Sequence, residues 1–160
     1  VLGSLGLSAE RAGAAELARR VDRAIGADLG RRRRATEDTF ALIEAAGNAG
    51  CVSCSEEIRL AVGSPRPALR RSAFGAYRFV AGPAAVAAMC VGLRTDPVAS
   101  VRAHAAWALG WSRSDLEARV RCLRSAVVDD SSADVRSDAA HALDALERGG
   151  ADRPAGELAF

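Results

Sequence analysis

One phrase of this sequence is written more than once, and that repetition restricts the possible folds more than any other feature. The clearest copy runs from Asp96 to Gly110 and reads D-P-V-A-S-V-R-A-H-A-A-W-A-L-G. Asp96 suits a helix cap, Pro97 a first turn and Gly110 a helix end. Between them Val101, Ala105, Ala108 and Leu109 fall at i, i+4, i+7 and i+8, which puts them on one helical face. Arg70, Arg102 and Arg136 are spaced by 32 and 34 residues, and aligning on them brings their neighbours into register. Leu69 matches Val101 and Val135, Ala73 matches Ala105 and Ala139, Ala76 matches Ala108 and Ala142, and Tyr77 matches Leu109 and Leu143. A unit of this length is a helical hairpin, which can bury its apolar face only by stacking on another. The predicted fold is all-α, an α-solenoid or superhelix of stacked antiparallel helical hairpins.

Composition agrees with close-packed helices. Aromatics make up only 4% of the 160 residues and Ala dominates the apolar fraction. Ala is the strongest helix former, and its small side chain lets helices approach closely. The formal charge of +2 creates no field that would demand nucleic acid or an acidic membrane. All 22 basic residues are Arg, which together with the Ala and Gly content reads as coding bias. The most apolar run, Phe79 to Leu93, is too short to span a bilayer and is interrupted by Gly82 and Pro83. Val1 is no initiator, so residues 1–148 read as an excerpt of a longer helical array and 149–160 as a flexible tail or linker.

In chain order, the first helix is expected over Leu7 to Ala27, capped by Ser8 and interrupted by Gly26, Gly30 and the run Arg31 to Arg34. The second is expected from Thr36 to Ala46, with Phe40, Ile43 and Ala46 inward and Gly47 to Gly50 ending it. Ser55, Glu56 and Glu57 begin a third, carrying Ile58, Leu60, Ala61 and Val62. Pro65 and Pro67 separate it from a helix whose inner face is Leu69, Ala73, Ala76, Tyr77 and Val80. A fifth runs from Pro83 to about Leu93 and leads into the opening phrase. Beyond that, Ser112 or Ser114 caps a helix with Leu116, Val120, Leu123 and Val127 inward. The last carries Val135, Ala139, Ala142, Leu143 and Leu146.

The order Asp, then Val-Arg, then small residues closing on Ala-Leu-Gly resembles HEAT and HEAT-like repeats, including the phycobilin-lyase type. Asp96, Val101, Arg102 and Ala105 to Gly110 carry the likeness, and Asp130, Val135, Arg136 and Ala139 to Leu143 repeat it. The resemblance implies a HEAT/armadillo-like solenoid with a ladder between repeats built by Asp96, Arg102, Asp130, Arg136 and Arg70. In the earliest copy Ser64-Pro65 stands where the Asp would be. L-G-S-L at Leu2 to Leu5 and A-L-I-E-A-A-G-N-A-G at Ala41 to Gly50 also resemble the helical domain of vitellogenin-type lipid transfer proteins.

Candidate chemistry is sparse. Cys51 and Cys54 form C-x-x-C, which suits a structural disulfide, a redox pair or half of a zinc site. A redox pair normally opens a helix after a strand, and no strand is visible. Cys90, Cys122, His104 and His141 lack paired ligand spacing, and neither His has the adjacent Glu carried by HEAT-type iron hydroxylases. Arg31 to Arg34 lack the interleaved aromatics of a nucleic-acid platform. Trp107 and Trp111, at i and i+4, form either inter-helix packing or a partner contact. No Ser-His-Asp order, phosphate loop or dinucleotide fingerprint occurs. These observations point to a non-catalytic scaffold that needs no cofactor or metal and binds another protein. A lipid-carrying arch is the alternative, and the phycobilin-lyase likeness leaves a bilin-attaching enzyme as the third reading.

Overall fold

The computed structural model describes residues 15–31, 38–80 and 82–148. They form eight α-helices: α1 Ala15–Arg31, α2 Asp38–Ala49, α3 Ser55–Val62, α4 Pro67–Tyr77, α5 Pro83–Thr95, α6 Ala99–Trp111, α7 Leu116–Asp129 and α8 Ala133–Arg148. A 3₁₀ turn, Val52–Cys54, precedes α3, and no strand occurs among the described residues. Helices pair as α1/α2, α3/α4, α5/α6 and α7/α8. The second helix of each pair packs on the second helix of the next, so α2, α4, α6 and α8 make one layer. On the opposite side α5 touches α7. This is the superhelical arrangement of a HEAT/armadillo-like solenoid. No helix among the described residues is long and apolar enough to cross a membrane.

The repeat positions build the core. Val101, Ala105, Ala108 and Leu109 are fully buried, as are their counterparts Ala73, Val135 and Ala139. Larger side chains, Ile25, Ile43, Ile58, Phe74, Met89 and Leu123, fill the space between pairs. Small residues matter as much as large ones here. A Cβ on Gly47 would lie 2.4 Å from the Ala76 Cα, and one on Gly92 would lie 2.2 Å from the Phe74 ring. These glycines are therefore packing residues: they let α2 meet α4, and the end of the Phe74 ring reach α5.

The structure corrects several expected boundaries. Gly26, Gly30 and Gly47 do not break their helices, because α1 runs through the first two and α2 continues to Ala49. Gly110 does not end α6, which continues to Trp111 with Ser112 at its C-cap. Asp96 does not cap α6: Val98 holds that position, and Asp96 instead accepts the Val98 N–H at 2.9 Å from the C-cap of α5. The cap of α7 is Asp115, not Ser112 or Ser114. It adopts a left-handed conformation (φ 43°) and accepts the Ala118 N–H at 3.0 Å.

Leu116, expected inward, is 46% exposed. In α7 the buried stripe is Arg119, Leu123 and Ala126. Arg119 replaces an apolar side chain because it donates to the Leu109 carbonyl at 3.1 Å, satisfying the C-terminal end of α6. Leu2 to Leu5, Ser8, Arg32 to Arg34, Thr36 and the 149–160 segment lie outside the described residues.

Candidate functional site

Two sets of repeat positions face different surroundings. The first is the Arg–Asp ladder at the edge of the α2/α4/α6/α8 layer. Arg70 places Nε and Nη2 on the two carboxylate oxygens of Asp96 at 2.7 and 2.8 Å, while its Nη1 donates to the Ser64 carbonyl at 3.0 Å. Arg102 repeats the geometry one unit on, with both bonds to Asp130 at 2.8 Å and a third to the Asp96 carbonyl at 2.9 Å. Arg136 donates to the Asp130 carbonyl at 2.8 Å. Each of these guanidinium groups thus holds the loop of its own hairpin, and Arg70 and Arg102 also hold the next. Ser64 serves this purpose through its backbone, so the missing carboxylate does not interrupt the rung formed by Arg70.

These ion pairs are nearly dry, with side-chain exposures of 12% and 5% for Arg70 and Asp96 and 11% and 7% for Arg102 and Asp130. Burial pushes the Asp96 carboxyl upward, but Arg70 and the Val98 N–H outweigh it and hold it below the ordinary range. For Asp130 the Arg102 bond is the main cause of the same lowering. A bidentate fork in a dry site specifies orientation. The ladder therefore fixes the register of one hairpin on the next.

The second set faces outward from the same layer. An open groove of about 800 Å³ runs between α6 and α8, lined by Ser100, His104, Trp107 and Trp111 on one wall and Asp134, Asp138 and His141 on the other. Arg71 and His104 continue it into a smaller groove between α2 and α4, where Phe40, Glu44, Asn48 and Arg78 contribute. The floor is made of small residues, Ala99, Ala103, Gly110, Ala142 and Ala145.

Trp107 is 37% exposed and tilts toward Trp111, with ring centroids 6.3 Å apart. His104 stacks on Trp107 at 4.7 Å, and the Arg78 guanidinium lies 5.0 Å from the Trp107 ring centroid. Arg78 is held there by bonds to the Gly75 carbonyl at 2.7 Å and Asn48 Oδ1 at 2.9 Å. Burial, aided by the nearby cations Arg71 and Arg78, lowers His104 from 6.5 to about 4, so its ring is neutral at pH 7. Gly75 makes room for that ring: a Cβ there would come within 2.9 Å of His104 Nε2.

All four cysteines are paired, Cys51 with Cys54 and Cys90 with Cys122. Asp22, Cys51 and Cys54 place their ligand atoms within 4.8 Å of one another. A thiolate is the species that binds zinc or exchanges electrons as a nucleophile, and in the disulfide neither sulfur carries one. His104 and His141 are groove residues and do not join that cluster.

Sequence reasoning missed the Cys90–Cys122 bond. Its signal is only approximate: the cysteines are 32 residues apart, close to the 34-residue step from Arg102 to Arg136, on the first helices of consecutive hairpins. The Arg register also aligns the groove residues, of which Ser72, Ser100, Asp134 and Asp138 were overlooked. Ser72, His104 and Asp138 are equivalent, as are Ala68, Ser100 and Asp134, and Gly75, Trp107 and His141.

Residues 55–144, more than half of the chain, match the sequence model for HEAT repeats. No curated protein and no solved structure matches the chain.

Proposed function

The chain belongs to the HEAT-repeat family, and on that premise we propose that it is a non-catalytic scaffold that binds another protein along the α4/α6/α8 groove. HEAT-repeat proteins are in general non-catalytic. The observation that carries the reading is the placement of both tryptophans of the chain in the groove, with Trp107 more than one-third exposed. Tryptophan is over-represented among the residues that dominate protein interfaces. In a chain with 4% aromatics it would otherwise serve the core.

Protein is favoured over lipid because the groove walls carry Arg71, Asp134 and Asp138. Burying these against acyl chains would cost several kcal/mol per charge, on the order expected for unpaired ions in an apolar medium. The lipid-arch reading therefore has only the words at Leu2 to Leu5 and Ala41 to Gly50 behind it, and the bilin-attachment reading has only the repeat.

The test is site-specific photo-crosslinking in the full-length protein, with the reactive group placed at Ser100 in the groove or at Val128, which is 76% exposed on the far layer. A discrete protein adduct from Ser100 and none from Val128 supports the reading. Adducts confined to Val128, or lipid recovered from the Ser100 position, would overturn it.

A further inference from the structure

The groove carries an uneven charge pattern. Several exposed acids of this chain are matched with arginines: Glu16 with Arg19 and Arg23, Glu56 with Arg59, Glu117 with Arg121, Glu147 with Arg124 and Asp144 with Arg148. Asp134 and Asp138 are exposed acids on the α8 wall, and neither has an ion-pair partner among the described residues. They are one turn apart on the same helix, so their charges repel. Across the groove Arg71, on α4, is likewise exposed and without an ion-pair partner among the described residues. Arg71 and the two carboxylates thus border the groove on either side of Trp107 and Trp111.

Resting on the reading of this groove as a protein-binding face, we propose that its occupant is an extended peptide segment of a partner protein. That segment places a basic side chain between Asp134 and Asp138 and an acidic one at Arg71. Charge complementarity selects the polarity. The basic side chain satisfies two carboxylates that this Arg-rich chain leaves unmatched, and its apolar stem covers the exposed part of Trp107.

The fold sets the spacing. Neighbouring packed helices are about 8–10 Å apart, so α4 and α8 are separated by roughly 16–20 Å across α6. An extended chain advances about 3.3–3.6 Å per residue, which puts the acidic and basic positions of the ligand about five residues apart. The small residues of the floor let a backbone pass beneath the two indole rings.

The two tryptophans make the groove its own reporter, because a ¹⁵N spectrum of this chain contains just two indole N–H resonances. The probe is a capped hexapeptide with Glu at one end, Arg at the other and Gly-Ala linkers between, titrated against the protein. Controls replace the peptide Arg by Gln, or exchange both end residues for Glu. The proposal expects saturable movement of both indole signals with the Glu/Arg peptide and at least fivefold weaker binding in Asp134→Asn/Asp138→Asn. It also expects Arg71→Gln to weaken the Glu/Arg peptide by a smaller factor.

Equal binding of the Arg→Gln peptide, or unchanged binding in the double Asn variant, overturns it. Preferential binding of the all-acidic peptide overturns the assigned polarity while keeping the groove as a protein-binding face. If no peptide moves the indole signals but Ser100 still crosslinks a protein, this inference fails and the scaffold reading stands.

Discussion

The Cys90–Cys122 bond joins α5 to α7 on the side of the stack opposite the groove. Replacing both by Ala leaves the folded contacts nearly intact, since both side chains are only partly buried. The effect should therefore come from the unfolded chain, which regains the freedom of a 32-residue loop. The loop-closure relation gives an entropy of about −12 cal/mol/K for that separation, or about 3.7 kcal/mol at 25 °C. The same relation gives only about 1.6 kcal/mol for Cys51–Cys54, whose separation is 3. A domain of this size has a total stability on the order of 5–15 kcal/mol, so losing the longer bridge removes a quarter or more of it.

The assay is urea denaturation of oxidised wild type, Cys90→Ala/Cys122→Ala and Cys51→Ala/Cys54→Ala, each with circular dichroism of the native state. The first double variant should lose about 3–4 kcal/mol and its melting temperature should fall by roughly 7–15 °C, whereas the second loses two buried side chains in addition to its small loop contribution. Wild type in excess dithiol should behave like the quadruple variant. A loss below about 1 kcal/mol for the Cys90/Cys122 pair would refute the loop-entropy reasoning. Peptide mapping that found Cys51 or Cys54 bonded to Cys90 or Cys122 would refute the pairing itself.

Four further outcomes follow from the packing and charges. Gly92→Ala should destabilise by about 1–3 kcal/mol in a chemical melt, because the Phe74 ring cannot yield in a full core; a stabilised variant would show that Phe74 has room to move. Asp130→Ala should cost about 3–5 kcal/mol by stranding Arg102, and Arg102→Met/Asp130→Ala should recover part of that loss in the same melt. The native Asp130 carboxyl is held low by Arg102, so its contribution is complete above about pH 4 and fades as the pH falls through the lower native value; Asp130→Asn should flatten that acid limb. For His104, lowered from 6.5 to about 4, the native advantage is complete above pH 6.5 and declines from there toward pH 4, by at most about 3 kcal/mol. An imidazole NMR titration of His104 with a midpoint above 6 would contradict its burial beside Arg71 and Arg78.

The repeat made the core legible from sequence, because Val101, Ala105 and Leu109 must turn the same way as their counterparts in every copy. Details failed where two physical signals competed. Gly47 and Gly110 look like helix ends by propensity, yet both occupy close helix crossings, with a Gly110 Cβ only 3.0 Å from that of Ala142. In α7 the stripes Leu116–Val120–Leu123–Val127 and Arg119–Leu123–Ala126 both satisfy helical spacing. What chose between them was the need of the α6 carbonyl end for a donor, a tertiary fact absent from α7 itself. Cys90 and Cys122 were hidden for a different reason: they lie on first helices, away from the aligned arginines, and their 32-residue separation falls two short of the 34-residue step there.

That register separates two kinds of position in the second helix of each hairpin. Arg70, Arg102 and Arg136 keep their chemistry because each must reach the carbonyl of its own loop. Two residues further on, Ser72, His104 and Asp138 have nothing in common, although all three line the grooves. A residue that faces a neighbouring repeat is constrained by the neighbour's identical need, whereas one that faces solvent is constrained only by what arrives from outside. The change from Ser to His to Asp, alongside Gly to Trp to His, therefore sets the groove, which we propose as the binding face, apart from the repeat. The same departure explains why the groove charges run in one direction: a surface of identical units would offer a ligand equivalent registers, and one with Arg71 at one wall and Asp138 at the other offers a single orientation.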